Sequence, residues 1–399
     1  MKFCYNESKN NDNLKIPGRK AFFMLTATAY MAGKDNAVEQ RIGQGIYYLK
    51  KCIMVLRRAV QLPSLVPLCE RLIKEGISCQ VMLSEELSPD VPQAGEMLAP
   101  GLLYLTDDPL IYATLAAKDE LSQETSLSCC PAVLVYLHSG NQDQDFGDAR
   151  YALEEPEETE PEYLERVYRR CHNLPWEILV TDRCWLRETV EEDVDSFWKM
   201  YQDSELSRYT ERLYPTPEAE RGYVREYRRL MYSFYEFGVW TVLDRQTGAV
   251  VGRAGLSVRE GYDLPELGFV IGREWQGRGL AGEVCQGILE YARELLGFER
   301  VQVLVHEENT VSLHLCQKLG FRQQAAPEAA GQSQGDQPDQ NRTACSCHQE
   351  EKEQGEGFGR RVPEKIKVVC PSCLVEMEQN GQMARFVYMV YESNAQTAG

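Results

Sequence analysis

Between residues 60 and 172, short apolar runs alternate with longer segments whose apolar residues recur at helical spacing. Buried strands are predicted for SCQVMLS, GLLYLTD and PAVLVYLH, and amphipathic helices for LVPLCERLIKEG, DPLIYATLAAKDEL and EPEYLERVYRRCHN. Strands that alternate with helices favour an open, Rossmann-like α/β layer with a largely parallel sheet. We assign residues 46–175 to this domain and treat residues 1–45, which show no firm period, as an N-terminal extension.

After residue 182 the pattern changes to paired strands. The turn signal RQTG, at residues 245–248, joins two strand-like segments and predicts a hairpin. A further predicted strand, PELGFVIG, leads through a glycine-rich turn into a long amphipathic helix. This half of the chain is therefore expected to fold differently from the first half.

The charge and the apolar content of the chain limit the kinds of molecule that it can bind. The 399 residues include 61 acidic and 43 basic side chains, for a formal charge of -18, and we find no local basic patch. The negative charge therefore disfavours nucleic acid as a partner, whereas cationic molecules or basic peptide ends suit it better. No apolar run approaches the roughly 20 residues that span a bilayer, and the first residues do not form a signal peptide. We expect a cytoplasmic protein without a membrane partner.

The glycine-rich turn contains Gly277, Gly279 and Gly282. Glycines let the backbone approach a ligand closely, and the first N–H groups of a helix lack intrahelical partners and favour an anion. The turn therefore predicts a phosphate site. It is not a P-loop, and the dinucleotide fingerprint would require an acidic residue at the end of the next strand, whereas Glu299 precedes that strand.

Residues 276–281 read QGRGLA, which fits the pyrophosphate motif Q/R-x-x-G-x-G/A of the GNAT N-acetyltransferases. That family's second signature is matched within ENTVSLHLCQKLGF. The chain resembles the branch of ribosomal-protein N-terminal acetyltransferases over residues 184–325 and the final strand ARFVYMVY. The resemblance implies an α+β domain, residues 182–325 plus 384–393, with a mixed, mainly antiparallel sheet.

The resemblance also implies that acetyl-CoA is the cosubstrate and that a primary amine, on a small molecule or a peptide N-terminus, attacks it directly in a ternary complex. The strand before the helix would meet the pantetheine arm, the glycine turn the pyrophosphate, and Asn309 the thiol end. Helix capping is an alternative role for Asn309 and Ser312. The predicted cofactor-binding residues are Phe269, Val270, Ile271, Gln276, Gly277, Arg278, Gly279, Leu280, Ala281, Gly282 and Asn309.

Acetyl transfer requires a neutral amine, and a carboxylate can take the amine's proton, often through water. Glu266 is the predicted base; the alternative is a surface glutamate at a strand end. Many relatives carry a tyrosine as general acid where this chain has Cys316, which we expect to be a packed apolar residue. Ser312, water or the departing thiolate remain candidates for the acid. The departure also leaves open a non-enzymatic acetyl-CoA sensor or scaffold.

The α/β domain resembles the second half of haloacid-dehalogenase-like domains, including Thr106-Asp107-Asp108 at a strand end. The nucleophile motif of that family, two aspartates one residue apart after an early strand, is absent from the sequence. Without that nucleophile, phosphatase chemistry has no attacking group. We therefore predict a non-catalytic binding or scaffolding domain.

Residues 326–383 separate the last predicted helix from the final strand. They are rich in Gln, Glu, Gly and Ser and are predicted to form a partly disordered insertion. Four cysteines in it, Cys345, Cys347, Cys370 and Cys373, offer soft ligands for a structural zinc ion. The alternative is a set of exposed thiols.

Overall fold

The structure, a computed structural model, describes residues 47–86, 100–122, 132–327 and 373–393. Internal contacts divide these residues into two compact units. The amino-terminal unit comprises the described residues up to 177 together with 225–236, and the carboxy-terminal unit comprises the described residues of 178–224 and 237–393.

The amino-terminal unit contains a five-stranded sheet in the order β2-β1-β3-β4-β5, and all of its strand pairs are parallel. Its strands are β1 Lys51–Leu56, β2 Ser78–Leu83, β3 Leu102–Thr106, β4 Ala132–Tyr136 and β5 Ala152–Leu153. Its helices are α1 Leu62–Lys74, α2 Pro109–Ser122 and α3 Pro161–Cys171. The central strand β1 was not predicted, although its buried residues, Cys52, Met54 and Leu56, help to form the core of the unit.

The carboxy-terminal unit is built on a mixed sheet in the order β12-β14-β11-β10-β9-β8-β7-β6, with β13 paired to β14. Only β10 and β11 are parallel among the described pairs. This confirms the predicted mixed, mainly antiparallel sheet. The strands are β6 Glu177–Val180, β7 Cys184–Arg187, β8 Val239–Asp244, β9 Val250–Ser257, β10 Glu266–Ile271, β11 Arg300–His306, β12 Arg322–Gln323, β13 Leu374–Gln379 and β14 Gln382–Glu392.

Two long-range features complete this sheet. The late strand β14 pairs with β11 over seven residues, from Arg300↔Glu392 to His306↔Phe386. Strand β13 lies within the segment that was predicted as an insertion, and it joins β14 through Asn380 and Gly381, both with positive φ. Asn-Gly is a strong two-residue hairpin signal. The second segment of the domain therefore includes β13, from Leu374, and starts earlier than the predicted residue 384.

The helices of the second half of the chain are α4 Val194–Tyr201, α5 Ser204–Ser207, α6 Pro217–Tyr227, α7 Ser233–Tyr235, α8 Leu280–Glu294 and α9 Thr310–Lys318. A π-helical segment, Arg228–Tyr232, joins α6 to α7. One face of α8 is buried, including Val284, Ile288 and Leu289. Each such side chain contributes about 1.5–3 kcal/mol when fully buried, so α8 is held firmly against the sheet.

Short 3-10 turns lie at Ala59–Gln61, Ser84–Glu86, Pro156–Glu158, Glu191–Asp193 and Arg273–Trp275. Among the helices that the structure describes, none is both long and apolar enough to cross a bilayer.

Candidate active site

Strands β10 and β11 part from each other almost as soon as they begin. They share one register pair, Glu266↔Gln302, whereas β10 pairs with β9 at six positions. The Gln302 N–H donates to the Pro265 carbonyl at 2.9 Å and closes the start of the pair. Strand β11 pairs with β14 along its other edge over its whole length. Beyond Glu266 and Gln302 the two parallel strands share no further register pair, so a gap opens between them in which the edge of β10 lacks a strand partner among the described residues.

The register of β10 with β9 shows toward which side each main-chain N–H and C=O group of β10 points. The Gly272 N–H donates to the Val251 carbonyl at 2.9 Å. Main-chain groups alternate between the two neighbours along a strand, so Val270 faces β9, and Phe269 and Ile271 face the gap. The Ile271 carbonyl already accepts a bond from Gln276 Nε2 at 2.8 Å. The main chain of Val270 is directed away from the gap, and contact of Phe269, Val270 and Ile271 with pantetheine stays a prediction.

The glycine turn connects β10 to α8. Gly277 and Gly279 have φ angles of +73° and +78°, a region that disfavours residues with a Cβ atom. Gly279 is the N-cap residue of α8, and among the described residues no side chain caps that end. The first-turn N–H groups, including those of Leu280, Ala281 and Gly282, are therefore available to an anion.

The negative charge of an acidic residue in the first turn of α8 is compensated by neighbouring side chains. Glu283 accepts bonds from Thr181 Oγ1 at 2.6 Å and Arg183 Nε at 2.6 Å. Burial raises the pKa of Glu283, but these hydrogen bonds outweigh it and hold the pKa below its ordinary value. Arg183 also donates to the Arg278 carbonyl at 2.8 Å and so fixes the turn itself. These supporting residues were not predicted, since Arg183 and Glu283 are 100 positions apart.

Arg278 lies over the ring of Trp275, with its guanidinium carbon 5.2 Å from the ring centroid. Its side chain is otherwise on the exposed surface of the turn. A cation held in this way adds positive charge beside the helix N-terminus. The turn therefore combines free N–H donors with a positive field, as an anion site requires.

Asn309 caps helix α9. Its Oδ1 accepts a bond from the Ser312 N–H at 3.1 Å, which confirms the capping role considered from the sequence. Contact of Asn309 or Ser312 with a cofactor stays a prediction. Cys316, on the same helix, is fully buried, and burial raises its pKa to about 12. This confirms Cys316 as a packed, neutral residue.

Glu266 is 1% exposed, so the alternative of a surface glutamate is wrong. Its two carboxylate oxygens face Arg259, with Oε1 at 3.0 Å from Nη2 and Oε2 in close contact with Nε. Burial raises the pKa of Glu266, although Arg259 acts in the opposite direction. A base in this position has no direct access to solvent and must receive its proton through another group.

Two buried residues that were not predicted lie on the next strands of the sheet, Gln302 on β11 and Tyr388 on β14. Gln302 is 0% exposed and is the register partner of Glu266. The Tyr388 hydroxyl donates to Gln302 Oε1 at 3.3 Å, and burial raises the pKa of Tyr388 to about 12. We call Glu266, Gln302 and Tyr388 the buried polar cluster. Its members come from β10, β11 and β14.

A cavity of about 800 Å³ lies beside the end of β11. Two ion pairs, Arg208–Glu308 at 2.8 Å and Arg385–Glu307 at 2.7 Å, form part of its wall. Its other lining residues are Ser204, Glu205, Ser207, Arg212, His306, Glu376, Gln379, Asn380, Gln382, Met383 and Ala384. The wall residue Glu308 directly precedes Asn309, so the cavity borders the predicted thiol end of the cofactor site.

The zinc prediction falls largely outside the described residues. Cys345, Cys347 and Cys370 lie outside them, and Cys373 is buried at the start of β13. Within the described ranges, no group of three or more His, Cys, Asp or Glu side chains is arranged to hold a metal ion. The structure thus provides no support for a zinc site.

Comparison with known families assigns the class of this domain. The family of acetyltransferase (GNAT) domains matches residues 183–322. The chain thus carries a GNAT acetyltransferase domain, and the enzyme class is that of the N-acetyltransferases.

The chain is similar to several bacterial proteins over this region. The uncharacterized N-acetyltransferase p20 of Bacillus licheniformis is 26% identical over 152 residues, which are 37% of this chain and 84% of the relative. The [ribosomal protein uS5]-alanine N-acetyltransferase of Escherichia coli is 27% identical over 162 residues, 38% of this chain and 81% of the relative. A solved structure, the spermidine N-acetyltransferase of Vibrio cholerae with CoA and spermine, is 16% identical, with a TM-score of 0.36, and covers 53% of this chain and 96% of its own.

Proposed function

We propose that this protein transfers the acetyl group of acetyl-CoA to a primary amine by direct attack in a ternary complex. One observation carries the proposal: an uncapped helix N-terminus at Gly279 lies at the end of a strand whose other edge opens onto a gap. The diphosphate of the coenzyme would accept bonds from the N–H groups of residues 277–282. The pantetheine arm would then run along β10 and form main-chain bonds with Phe269.

The thioester oxygen gains negative charge when the amine attacks, so it needs a hydrogen-bond donor that is already in place. We assign this role to an N–H group of β10 that faces the gap, for which Phe269 has the correct direction. Glu266 is the proposed base. The departing thiolate is the proposed acceptor of the final proton, because Cys316 is buried in the core. Ser312, whose main-chain N–H takes part in the cap of α9, is the other proposed candidate.

The acceptor is proposed to enter through the 800 Å³ cavity. After the two wall ion pairs, the remaining charged residues of the cavity are Glu205, Glu376 and Arg212. This excess of carboxylate suits an ammonium group better than an anion. A peptide N-terminus and a small amine both satisfy this requirement, and the Escherichia coli relative is named for an alanine of a ribosomal protein.

We expect calorimetry to detect binding of both acetyl-CoA and CoA, and thiol release from acetyl-CoA to rise when an amine is added. An alanine-initiated peptide, an aliphatic diamine and a simple monoamine form a suitable first panel. Absence of heat with either form of the coenzyme, on a folded sample, would reject the cofactor site.

The alternative is a sensor or scaffold that binds acetyl-CoA without transfer. Two observations favour the sensor. Glu266 is paired with Arg259, and Cys316 is buried, so neither side chain is free to exchange protons with a substrate. The two proposals differ in one result. A sensor binds acetyl-CoA but shows no amine-dependent thiol release with any member of the panel.

The amino-terminal unit is proposed to be a Rossmann-like, non-catalytic binding or scaffolding domain over residues 46–175. Asp107, at the carboxyl end of β3, accepts bonds from the Arg57 N–H at 2.7 Å and from His138 Nε2 at 3.1 Å. Asp108 accepts a bond from the Leu110 N–H at the start of α2. Both carboxylates thus have structural roles, which supports a unit without phosphatase chemistry.

A further inference from the structure

The buried polar cluster contains a side chain whose amide nitrogen lacks a hydrogen-bond partner among the described residues. Gln302 is 0% exposed, and its Nε2 has no partner among the described residues. A buried amide that is left unpaired is costly and is rare in native proteins. Because the two ends of an amide are assigned from their surroundings, a flip would merely leave the oxygen unpaired instead. In either orientation, one polar atom of Gln302 lacks a partner.

The surroundings of this atom are polar and enclosed. Glu266 is the register partner of Gln302 on β10, where β10 and β11 meet before the gap. Ser257 Oγ donates to the Glu266 main-chain carbonyl at 3.4 Å, and the ring of Tyr262 lies beside that of Tyr388, with ring centroids 5.8 Å apart. A buried water molecule typically makes about three hydrogen bonds to groups of this kind. The site therefore has the chemistry that an ordered water needs.

The charged and phenolic side chains around Glu266 show which group of the cluster can act as a base. Arg259 is its ion-pair partner, and Glu211 and Arg259 are the charged side chains whose fields act on it. Tyr262 and Tyr388 are the neighbouring phenols, and burial raises the pKa of each of them. Neither phenol is ionised near neutral pH, so neither can be the base. Glu266 is the acid–base group of the cluster.

We propose that Gln302 is a positioning residue whose unpaired amide group holds a water molecule between the acceptor amine and Glu266, with Tyr388 fixing the orientation of that amide. This inference rests on the proposed acetyl transfer. The acceptor ammonium gives a proton to the water, and the water gives a proton to a Glu266 oxygen, which leaves a neutral amine and a carboxylic acid.

The amine nitrogen then forms a bond with the acetyl carbon, and the carbon–sulfur bond breaks. The second proton of the nitrogen goes to the departing thiolate, and Glu266 returns its proton to solvent through the same water. The relay explains how a glutamate that is 1% exposed can act as a base at all. It also gives a role to a polar side chain at a position that is 0% exposed.

The first test compares Gln302→Leu and Tyr388→Phe with Tyr391→Phe, a matched control on the same strand. Rates are measured with acetyl-CoA and either an alanine-initiated peptide or an aliphatic diamine, from about pH 5.5 to about pH 9.5. We expect Gln302→Leu to lower kcat/KM about tenfold or more, to shift the acid limb of the profile and to change the solvent isotope effect. Tyr388→Phe is expected to lower kcat/KM about threefold, and Tyr391→Phe is expected to leave kcat/KM unchanged.

Acetyl-CoA affinity and thermal stability of the same variants separate a proton relay from a packing effect. We expect the Kd for acetyl-CoA to stay within about twofold in all three variants. An acid limb that does not move in Gln302→Leu, with kcat/KM within about twofold of the wild type, overturns the proposal.

The second test does not depend on turnover. A high-resolution crystal structure of the wild-type protein should show an ordered water within hydrogen-bond distance of both the Gln302 amide and the Glu266 carboxylate. Absence of that water overturns the inference about Gln302. A wild-type protein that fails to bind acetyl-CoA, or transfers its acetyl group to no amine, instead rejects the proposed function, so the two failures are distinct.

Discussion

The glycine turn at residues 277–282 and the buried polar cluster are both proposed to bind polar ligands, but they consist of different chemical groups. The turn uses main-chain N–H groups of consecutive residues, and positive φ angles at Gly277 and Gly279 set its shape. The cluster uses side chains from three strands, with Gln302 and Tyr388 86 positions apart. A main-chain site tolerates changes of side chain as long as its backbone is kept, whereas a side-chain site depends on each member.

The largest effect that separates the two regions is expected from Glu266→Gln. The amide keeps the size of the side chain but cannot take the acceptor's proton, so kcat should fall about a hundredfold or more at neutral pH. The Kd for acetyl-CoA should change little, because the diphosphate site is proposed at the glycine turn and does not include Glu266. Rates and calorimetry on the same sample measure both quantities.

Stability must be followed in this variant, because Glu266→Gln leaves Arg259 without its carboxylate partner. Thermal unfolding of the single variant and of Glu266→Gln with Arg259→Gln shows how much of any loss comes from the unpaired cation. A kcat within about threefold of the wild type, in a folded protein, would remove Glu266 as the base.

The glycine turn was predictable because it is local. Its glycines, the preceding strand and the following helix lie within about 30 consecutive residues, and the physical need for main-chain donors and permissive φ angles applies to each position alone. The final strand β14 was predicted from the family resemblance, since its partner β11 is far away in sequence, with Arg300 opposite Glu392. Local pattern was thus sufficient for the turn, whereas the last strand needed the resemblance.

The supporting residues were not predictable in the same way. Nothing in the sequence near Arg183 indicates that it pairs with Glu283. Gln302 is a single polar residue within an apolar strand, and nothing around it in the sequence distinguishes it. Such contacts depend on strand register, which is set by the whole sheet and not by a local pattern. Two elements did carry a local signal that was not used: the apolar run of β1, and the Asn-Gly turn before β14.

A smaller effect is expected when the turn itself is changed. Gly279→Ala places a Cβ atom at φ +78° and should cost about 1–2 kcal/mol of stability, because left-handed backbone disfavours L-residues. Any relaxation of φ also moves the N–H donors of α8, so acetyl-CoA affinity should fall about tenfold. Urea unfolding and calorimetry measure the two effects.

Gly248→Ala is the matched control. Gly248 has φ +70° in the hairpin between β8 and β9, and an added Cβ would meet nothing within 4 Å there. It should lose a similar amount of stability and leave the Kd for acetyl-CoA unchanged. Equal effects of the two substitutions on affinity would mean that the turn acts only through general stability.

The smallest effect concerns the side chains that support the turn. The pKa of Glu283 is held below its ordinary value of 4.5 by hydrogen bonds from Thr181 and Arg183 that outweigh burial. A carboxylate with a lowered folded pKa adds stability above its unfolded pKa, and this contribution is lost as the pH falls through the folded pKa. Glu283→Gln should therefore be less stable than the wild type by about 1 kcal/mol at pH 7, and the difference should shrink toward about pH 3.

Glu290→Gln on the exposed face of the same helix is the control, and it should show little difference at either pH. Urea unfolding at the two pH values, with all three proteins, provides the comparison. If Glu283→Gln loses the same stability at both, the contribution is packing and not charge. In that case the side chains around the turn would stabilise it by packing and not by charge. Of the two regions, only the buried polar cluster would then depend on ionisable side chains.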